Sequence, residues 1–162
     1  LRFSANACCR GLEALAAAAP ILTDTAMAAA AVAPMARRTF GNAVHSVLEW
    51  APAQAPAGGT RAAVGMEQAL KQHPGAVVLI GSAPTALEVL LAQVASGAIP
   101  PPSLVIGMPV GFVGVAESKR HLAQSSLSQI RLEGSRGGAG LVGAAANALL
   151  RRAWLDRRAA RQ

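Results

Sequence analysis

Small and rigid residues are concentrated in the middle of the chain, from Leu104 to Leu122. A short apolar run is followed there by Pro109, Gly111 and Gly114, and a helical pattern begins at Glu117. A backbone with so few side chains can approach a bulky ligand closely. In open parallel sheets such a turn lies at the carboxyl ends of the strands, where ligands bind. Purely structural turns have the same composition, so the pattern alone leaves both interpretations open.

Three further positions place polar groups at a predicted strand end or helix start. Asp24 follows a short apolar segment, where it can cap the next helix or contact a ligand. Arg61 lies in the first turn of a predicted helix and opposes the helix dipole, which leaves pairing with a ligand carboxylate and simple solvation equally open. The turn Ser82–Thr85 is expected to offer free backbone N–H groups and a hydroxyl to an anionic or carbonyl oxygen.

A second glycine-rich turn, Gly134–Gly140, precedes the last predicted helix. It lacks the Gly-Lys-Ser/Thr ending of a phosphate-binding loop and does not fit Gly-x-Gly-x-x-Gly, so a nucleotide-binding domain is the weakest alternative. The histidines at 45, 73 and 121 form no motif that predicts catalysis. For His45, which lies in a predicted strand, we expect a structural role.

Strand-like and helix-like segments alternate along the chain, which predicts an α/β fold. We expect three layers in a Rossmann-like, doubly wound arrangement, with a mostly parallel sheet between helices on both faces. The functional turns would then line one edge of the sheet. The predicted strands are Leu1–Ser4, Ile21–Thr23, Ala43–Leu48, Ala76–Ile80, Leu104–Ile106 and Gln129–Glu133. The predicted helices are Ala7–Ala19, a helix after Asp24 that ends at Pro34, helices that begin at Thr60, Pro84 and Glu117, and Leu141–Leu155.

Length and composition favour one domain, residues 1–155, followed by a basic tail, residues 156–162. Half of the 162 residues are hydrophobic but only 3% are aromatic, so the core must consist mainly of Ala, Val, Leu and Ile. No apolar run is long enough to span a bilayer, and we expect no membrane partner. The first residue is Leu1 and no signal peptide follows it, so we expect a chain truncated at its start.

The formal charge of +7 is concentrated at the end of the chain. Residues 151–162 contain five arginines and one acidic residue, Asp156. Without interleaved aromatic residues, a solvated helix end is a better interpretation than a nucleic-acid partner. The adjacent Cys8 and Cys9 suit neither a zinc site nor an ordinary disulfide, which favours the reducing cytoplasm.

Five ordered segments carry a resemblance that covers nearly the whole chain. They are Pro20–Met27, Gly59–Arg61, Gly81–Leu87, the central Gly-Met-Pro-Val-Gly-Phe-Val-Gly-Val-Ala-Glu-Ser-Lys of 107–119, and Arg136–Gly138. Together they resemble the precorrin-8X methylmutase family, also called precorrin isomerase, of vitamin B12 biosynthesis.

This resemblance implies a homodimeric α/β isomerase that needs no metal or redox cofactor. Such enzymes move a methyl group between neighbouring carbons of ring C of the corrin precursor, and so convert precorrin-8X to hydrogenobyrinic acid, or its cobalt-containing counterpart. Gly111–Gly114 would then supply an apolar surface for the macrocycle, and Arg61, Lys119 and Arg136 would supply cations for its carboxylates. The implied substrate-binding residues are Asp24, Met27, Thr60, Arg61, Ser82, Ala83, Pro84, Thr85, Gly111, Phe112, Val113, Gly114, Ser118, Lys119, Arg136, Gly137 and Gly138.

The sequence also departs from the family pattern. The family's catalytic histidine lies in an N-terminal segment that the 162 residues do not include, so no catalytic residue is assigned. Ser82 replaces the asparagine of the family, and Ala26 replaces a glutamate often found there. Either change could alter the rim of the site or reflect relaxed selection. The alternative function is therefore a non-catalytic or vestigial corrinoid-binding protein.

Overall fold

The computed structural model describes residues 1–160, which contain a six-stranded sheet. Its strands are β1 (Arg2–Phe3), β2 (Ile21–Thr23), β3 (Val44–Ser46), β4 (Val77–Ile80), β5 (Leu104–Gly107) and β6 (Gln129–Arg131). The spatial order is β1-β6-β5-β4-β2-β3. All neighbouring strands are parallel except β1, which runs antiparallel to β6 at one edge. The prediction of a mostly parallel sheet is confirmed.

Within these residues, six α-helices and a short 3-10 helix connect the strands. They are α1 (Ala7–Ala16), α2 (Ala26–Thr39), the 3-10 helix Val47–Trp50, α3 (Arg61–Gln72), α4 (Pro84–Ala95), α5 (Val115–Gln124) and α6 (Ala139–Ala159). Helices α1, α2 and α6 cover one face of the sheet, and α3, α4 and α5 cover the other. The expected three-layer architecture is therefore present.

Alternation along the central strands divides the core between the two faces. Val77 and Leu79 of β4 pack in the layer of α1, α2 and α6, whereas Val78 and Ile80 pack in the opposite layer. Successive side chains of a strand point to opposite faces, and both faces are covered here. A continuous apolar run therefore suits this strand, and its four residues are fully buried.

The parallel direction of β2, β4, β5 and β6 brings the segments after these strands to one edge of the sheet. This carboxyl edge carries Asp24, the turn Gly81–Ala83, the turn Met108–Gly114 and the turn Leu132–Gly138. The expectation that the predicted functional turns share one edge is confirmed.

The prediction that the second helix ends at Pro34 is wrong. Proline removes one helical hydrogen bond, but Pro34 is exposed and its missing partner, the carbonyl of Ala30, belongs to an exposed residue that water can reach. On the opposite side of the helix, Val32 and Ala36 are fully buried in the layer shared with α6. Because the packed residues come both before and after Pro34 in the sequence, α2 stays helical as far as Thr39.

Several other boundaries differ from the predictions, among them the start of α5 at Val115 rather than Glu117 and the following three. The strand expected over Ala43–Leu48 ends at Ser46, because Ser46 and Glu49 form a capping box that starts the 3-10 helix. Helix α1 ends at Ala16, before Ala18 adopts a left-handed conformation with φ of 59°. Helix α6 continues to Ala159, so residues 156–159 of the predicted tail are helical, and the part of the tail at 161–162 lies outside the described residues.

Candidate functional site

A cleft of about 560 Å³ lies where the N-terminal ends of α3, α4 and α5 converge at the carboxyl edge. Its volume is within the range of about 300 to 1,000 Å³ that is typical of small-molecule sites. Five of the predicted binding residues line it, namely Thr60, Pro84, Thr85, Val113 and Gly114. The fold therefore brings together segments that lie more than fifty residues apart in the sequence.

Two threonine hydroxyls connect α3 and α4 in the wall of this cleft. Thr60 Oγ1 accepts a hydrogen bond from the N–H of Ala63 at 3.1 Å and lies 2.7 Å from Thr85 Oγ1. Arg61, which follows Thr60, is exposed, and its Nε donates to the carbonyl of Pro52 at 2.8 Å. This bond fixes the loop before α3 and uses one of the five guanidinium donors.

Asp24 fixes the turn between β4 and α4. Its side chain is buried, with the residue 1% exposed, and Oδ2 accepts hydrogen bonds from the N–H groups of Gly81, Ser82 and Ala83 at 3.0, 2.6 and 2.7 Å. The expectation that the N–H groups of Ser82 and Ala83 are free for a ligand is therefore wrong. Asp24 does not cap the helix that follows it either, because Thr25 Oγ1 takes that position and accepts from the N–H of Ala28.

The two oxygens of this carboxylate differ in their surroundings. Burial raises the pKa of Asp24, and the three N–H donors on Oδ2 oppose that effect. Oδ1 is buried without a hydrogen-bond partner. The three hydrogen bonds that the Asp24 side chain accepts from this turn are thus all on Oδ2.

Lys119 fixes the turn between β6 and α6. This residue is 3% exposed, and its Nζ donates to the carbonyls of Gly134 and Arg136, both at 2.7 Å. Burial lowers the pKa of Lys119. Its ammonium group supports the turn that carries Arg136 and is not on the open rim where the sequence suggested a cation. The neighbouring Ser118 is fully buried, and its Oγ donates to the carbonyl of Val115, so it does not reach the cleft.

The turns of the carboxyl edge contact one another at glycines. Gly138 donates its N–H to the carbonyl of Met108 at 2.9 Å, and a Cβ on Gly137 would overlap that same carbonyl. A Cβ on Gly81 would lie 2.7 Å from the backbone nitrogen of Ala139. Glycine is therefore required at 81 and 137 because the turns approach each other at backbone distance.

Large apolar side chains of the same edge face solvent. Phe112 is 95% exposed and Val113 is 88% exposed, beside the cleft that Val113 lines. Met27, in the first turn of α2, is 71% exposed, and Arg136 is exposed in its turn. Adjacent apolar side chains at this exposure are typical of an interaction or ligand-binding surface.

Sequence reasoning missed the three titratable residues of the cleft, Glu88, Glu117 and His121. His121 Nδ1 lies 2.8 Å from Glu88 Oε1, so the pair connects α4 and α5 across the cleft. Helical spacing could have found them. Glu88 lies three residues after Thr85, and His121 lies four residues after Glu117, which places each pair on one helix face.

Other reactive groups lie outside the cleft. Cys8 and Cys9 are exposed free thiols on α1. His45 lies 3.0 Å from Glu49 and stacks on the ring of His73, at the β3 side of the sheet. Among residues 1–160, no three or more His, Cys, Asp or Glu side chains are grouped so that they could hold a metal ion. None of the helices described is both long and apolar enough to cross a bilayer.

Comparison with known proteins adds independent findings. The family model of the CbiC precorrin-8X methylmutases matches residues 1–152. The chain is 46% identical to the precorrin-8X methylmutase of Pseudomonas aeruginosa over 154 residues, which cover 92% of this chain and 73% of that protein. It is 40% identical to the cobalt-precorrin-8 methylmutase of Synechocystis sp. over 151 residues, which cover 93% of this chain and 69% of that protein. The chain belongs to the precorrin-8X methylmutase family.

A solved structure of a precorrin-8X methylmutase supports the same assignment at the level of the fold. The structure of the Thermus thermophilus protein matches this chain with a TM-score of 0.84 and 39% identity, over 96% of this chain and 76% of that one. The resemblance carried by the five sequence segments is therefore confirmed. The chain spans about 70% of the length of the two methylmutases compared above by sequence.

Proposed function

We propose that this methylmutase-family protein is an isomerase of cobalamin biosynthesis that acts on a corrin precursor. The reaction is the conversion of precorrin-8X to hydrogenobyrinic acid, or its cobalt-containing equivalent. One carbon–carbon bond to the migrating methyl group breaks and another forms at the neighbouring ring carbon. The formula is unchanged, so no oxidant or reductant is consumed.

The observation that carries this proposal is the exposed apolar turn beside the cleft. Phe112 and Val113 project into solvent from a turn that contains Gly111 and Gly114. A planar macrocycle can lie against such side chains and approach the glycine backbone without steric conflict. An aromatic side chain buries about 150 to 250 Å² when it is covered, which makes Phe112 the largest single apolar contact available on this turn.

Polar groups around the turn suit the periphery of a macrocycle with many carboxylates. The exposed side chains of Arg61 and Arg136 can each pair with a carboxylate. The hydroxyls of Thr60 and Thr85, which line the cleft, can act as donors or acceptors. The protein's part in the rearrangement would be to bind the ring, orient it and exclude water.

Rigid turns support this part. Asp24 and Lys119 are buried and bonded to backbone, so we assign both of them the positioning of the turns. A site whose backbone is already fixed loses less conformational entropy when the ligand binds.

The proposal includes a homodimer in the cytoplasm. Met27 and Leu141 are exposed near the N-terminal ends of α2 and α6, which pack side by side where Ala31 meets Gly143. Covering these apolar side chains with a second copy would remove them from water. Light scattering after size-exclusion chromatography should give twice the monomer mass, and M27E combined with L141E should give the monomer. A monomeric wild type would contradict this part of the proposal.

The decisive experiment is a titration with hydrogenobyrinic acid, followed by visible absorbance, together with an assay for conversion of precorrin-8X. We expect a saturable spectral shift, and formation of product once the N-terminal segment that carries the family's histidine is joined to these residues. F112S should weaken corrinoid binding by roughly tenfold, because it removes most of one aromatic contact. L155S is the matched control, since Leu155 is a half-exposed apolar residue near the end of α6 and should leave the affinity unchanged.

Two results would contradict the proposal in different ways. A folded wild-type protein that binds no corrinoid would exclude the macrocycle as ligand. Saturable binding without conversion of precorrin-8X, even after the N-terminal segment that carries the family's histidine is joined to these 162 residues, would exclude the isomerase and leave a corrinoid-binding protein.

A further inference from the structure

A second cavity, of about 250 Å³, lies between α5 and the end of β6. Its charged lining residues are Lys119, Arg120, Arg131 and Glu133. Gly134, the first residue of the second glycine-rich turn, also lines it. We call this space the basic cavity. It is less than half the volume of the cleft between α3, α4 and α5, and it is smaller than typical sites for whole ligands. It therefore suits a single functional group.

Positive charge is in excess around the basic cavity. Glu133 is its one carboxylate, and this side chain is shared between Arg131, at 3.9 Å, and Arg2, at 3.3 Å. Lys119 and Arg120 have no acidic partner in this cluster. Three cations, of Lys119, Arg120 and Arg131, therefore line the cavity beside one carboxylate, which favours the entry of an anion.

The buried ammonium group of Lys119 is the strongest feature of the cavity. Buried charges are normally paired with an opposite charge, because neutral dipoles replace lost hydration only in part. Here the two partners of Nζ are neutral carbonyls, of Gly134 and Arg136. An ammonium group has three donors, so one remains for a ligand. An anion in the basic cavity would supply both the missing charge and the missing acceptor.

We propose that the basic cavity binds a carboxylate group, and that a peripheral carboxylate of the corrinoid substrate occupies it. The second part rests on the proposed function. Lys119 lines the cavity and donates to the carbonyl of Arg136, so the cavity adjoins the turn that carries the exposed Arg136. A macrocycle seated on the carboxyl edge can therefore place one carboxylate inside and another on the rim.

Two arginine variants and a matched control test this assignment. R120Q and R131Q each remove one cation from the cavity and keep a polar side chain. R151Q makes the same change in net charge at an exposed position of α6. The affinity for hydrogenobyrinic acid is measured by visible absorbance, and the affinity for succinate by calorimetry at constant ionic strength. We expect a roughly tenfold loss for R120Q and for R131Q, and no loss for R151Q.

The two ligands separate the sources of the carboxylate. Weaker corrinoid binding in R120Q and R131Q, with no succinate binding in any form, would assign the cavity to a side chain of the macrocycle. Weaker succinate binding with unchanged corrinoid affinity would support a carboxylate site but overturn its occupation by the macrocycle. Equal affinities in R120Q, R131Q and R151Q for both ligands would overturn the proposal.

The controls keep this test separate from the test of function. If the wild type binds no corrinoid, the proposed function fails, and succinate alone decides whether the cavity takes a carboxylate. Thermal unfolding shows whether each variant is folded. Arg120 is exposed on α5, so R120Q should fold even if R131Q, at the end of β6, does not.

Discussion

Two turns at the carboxyl edge are held by buried charges of opposite sign. Asp24 accepts three backbone N–H groups from the turn Gly81–Ala83, and Lys119 donates to two backbone carbonyls of the turn that contains Arg136. Both turns follow a strand and precede a helix. A buried carboxylate therefore fixes the shape of the first turn, and a buried ammonium group fixes the shape of the second.

The difference between the two turns lies in how fully each charge is compensated. The N–H groups bonded to Asp24 lie just before α4, where the positive end of the helix dipole adds to their effect on the carboxylate. Lys119 meets only neutral carbonyls and retains an unused donor. The first arrangement is closed and structural, whereas the second can still interact with an anion.

Replacing Asp24 should have the largest effect on stability. D24A leaves three N–H groups of a largely buried turn without acceptors, and we expect the free energy of unfolding to fall by about 3 kcal/mol or more. D24N retains a carbonyl oxygen at the same place and should recover at least half of the loss. Urea unfolding followed by circular dichroism measures both. Equal losses in D24A and D24N would show that charge, and not the acceptor, holds the turn.

Replacing Lys119 should affect binding more than stability. K119M removes two hydrogen bonds but also a desolvated charge, so we expect a loss of only about 1 kcal/mol in the free energy of unfolding. The affinity for hydrogenobyrinic acid should fall by roughly tenfold, because the turn with Arg136 loses its support. K119R, which keeps the charge, should restore part of the affinity. A K119M protein with wild-type affinity for hydrogenobyrinic acid would show that Lys119, like Asp24, has only a structural role.

The pH dependence of stability offers a smaller but more specific test. Burial lowers the pKa of Lys119 below its ordinary 10.5, so the folded state binds fewer protons at this group than the unfolded state does. Stability contributed by this group therefore rises with pH up to the ordinary value. The difference in free energy of unfolding between the wild type and K119M should increase toward pH 10.5. A difference that stays flat or falls would contradict the assignment.

Local patterns in the sequence were sufficient for the type and order of the main elements. The apolar run of β4 and the helical spacing after Pro84 have the structures that those patterns predict. The prediction failed at Pro34, where burial of Val32 and Ala36 against a distant helix outweighs a local signal. Tertiary packing of this kind is not encoded within the segment that it stabilises.

The candidate site was predictable as a set of turns but not as a set of contacts. The sequence pattern placed Asp24 after a strand, yet its partners lie 57 or more residues further along the chain. The bond of Lys119 to the second turn also depends on how α5 packs against β6. Such pairs follow from the order of strands in the sheet, which no local spacing specifies. Phe112 was named only through the family resemblance, and its 95% exposure is a finding of the structure.

The smallest expected effect concerns the pair of Glu88 and His121. Unlike the buried Asp24 and Lys119, both side chains of this pair are accessible to water. Both side chains are about half exposed, at 42% and 46%, so water competes with their 2.8 Å contact. A double-mutant cycle with E88Q and H121Q should give a coupling energy of about 0.2 to 1 kcal/mol. A coupling above about 2 kcal/mol would place the pair with Asp24 and Lys119 as a structural clamp. The expected low value would instead let the side chains of Glu88 and His121 part when a ligand enters the cleft, while α4 and α5 remain packed through Leu87 and Leu122.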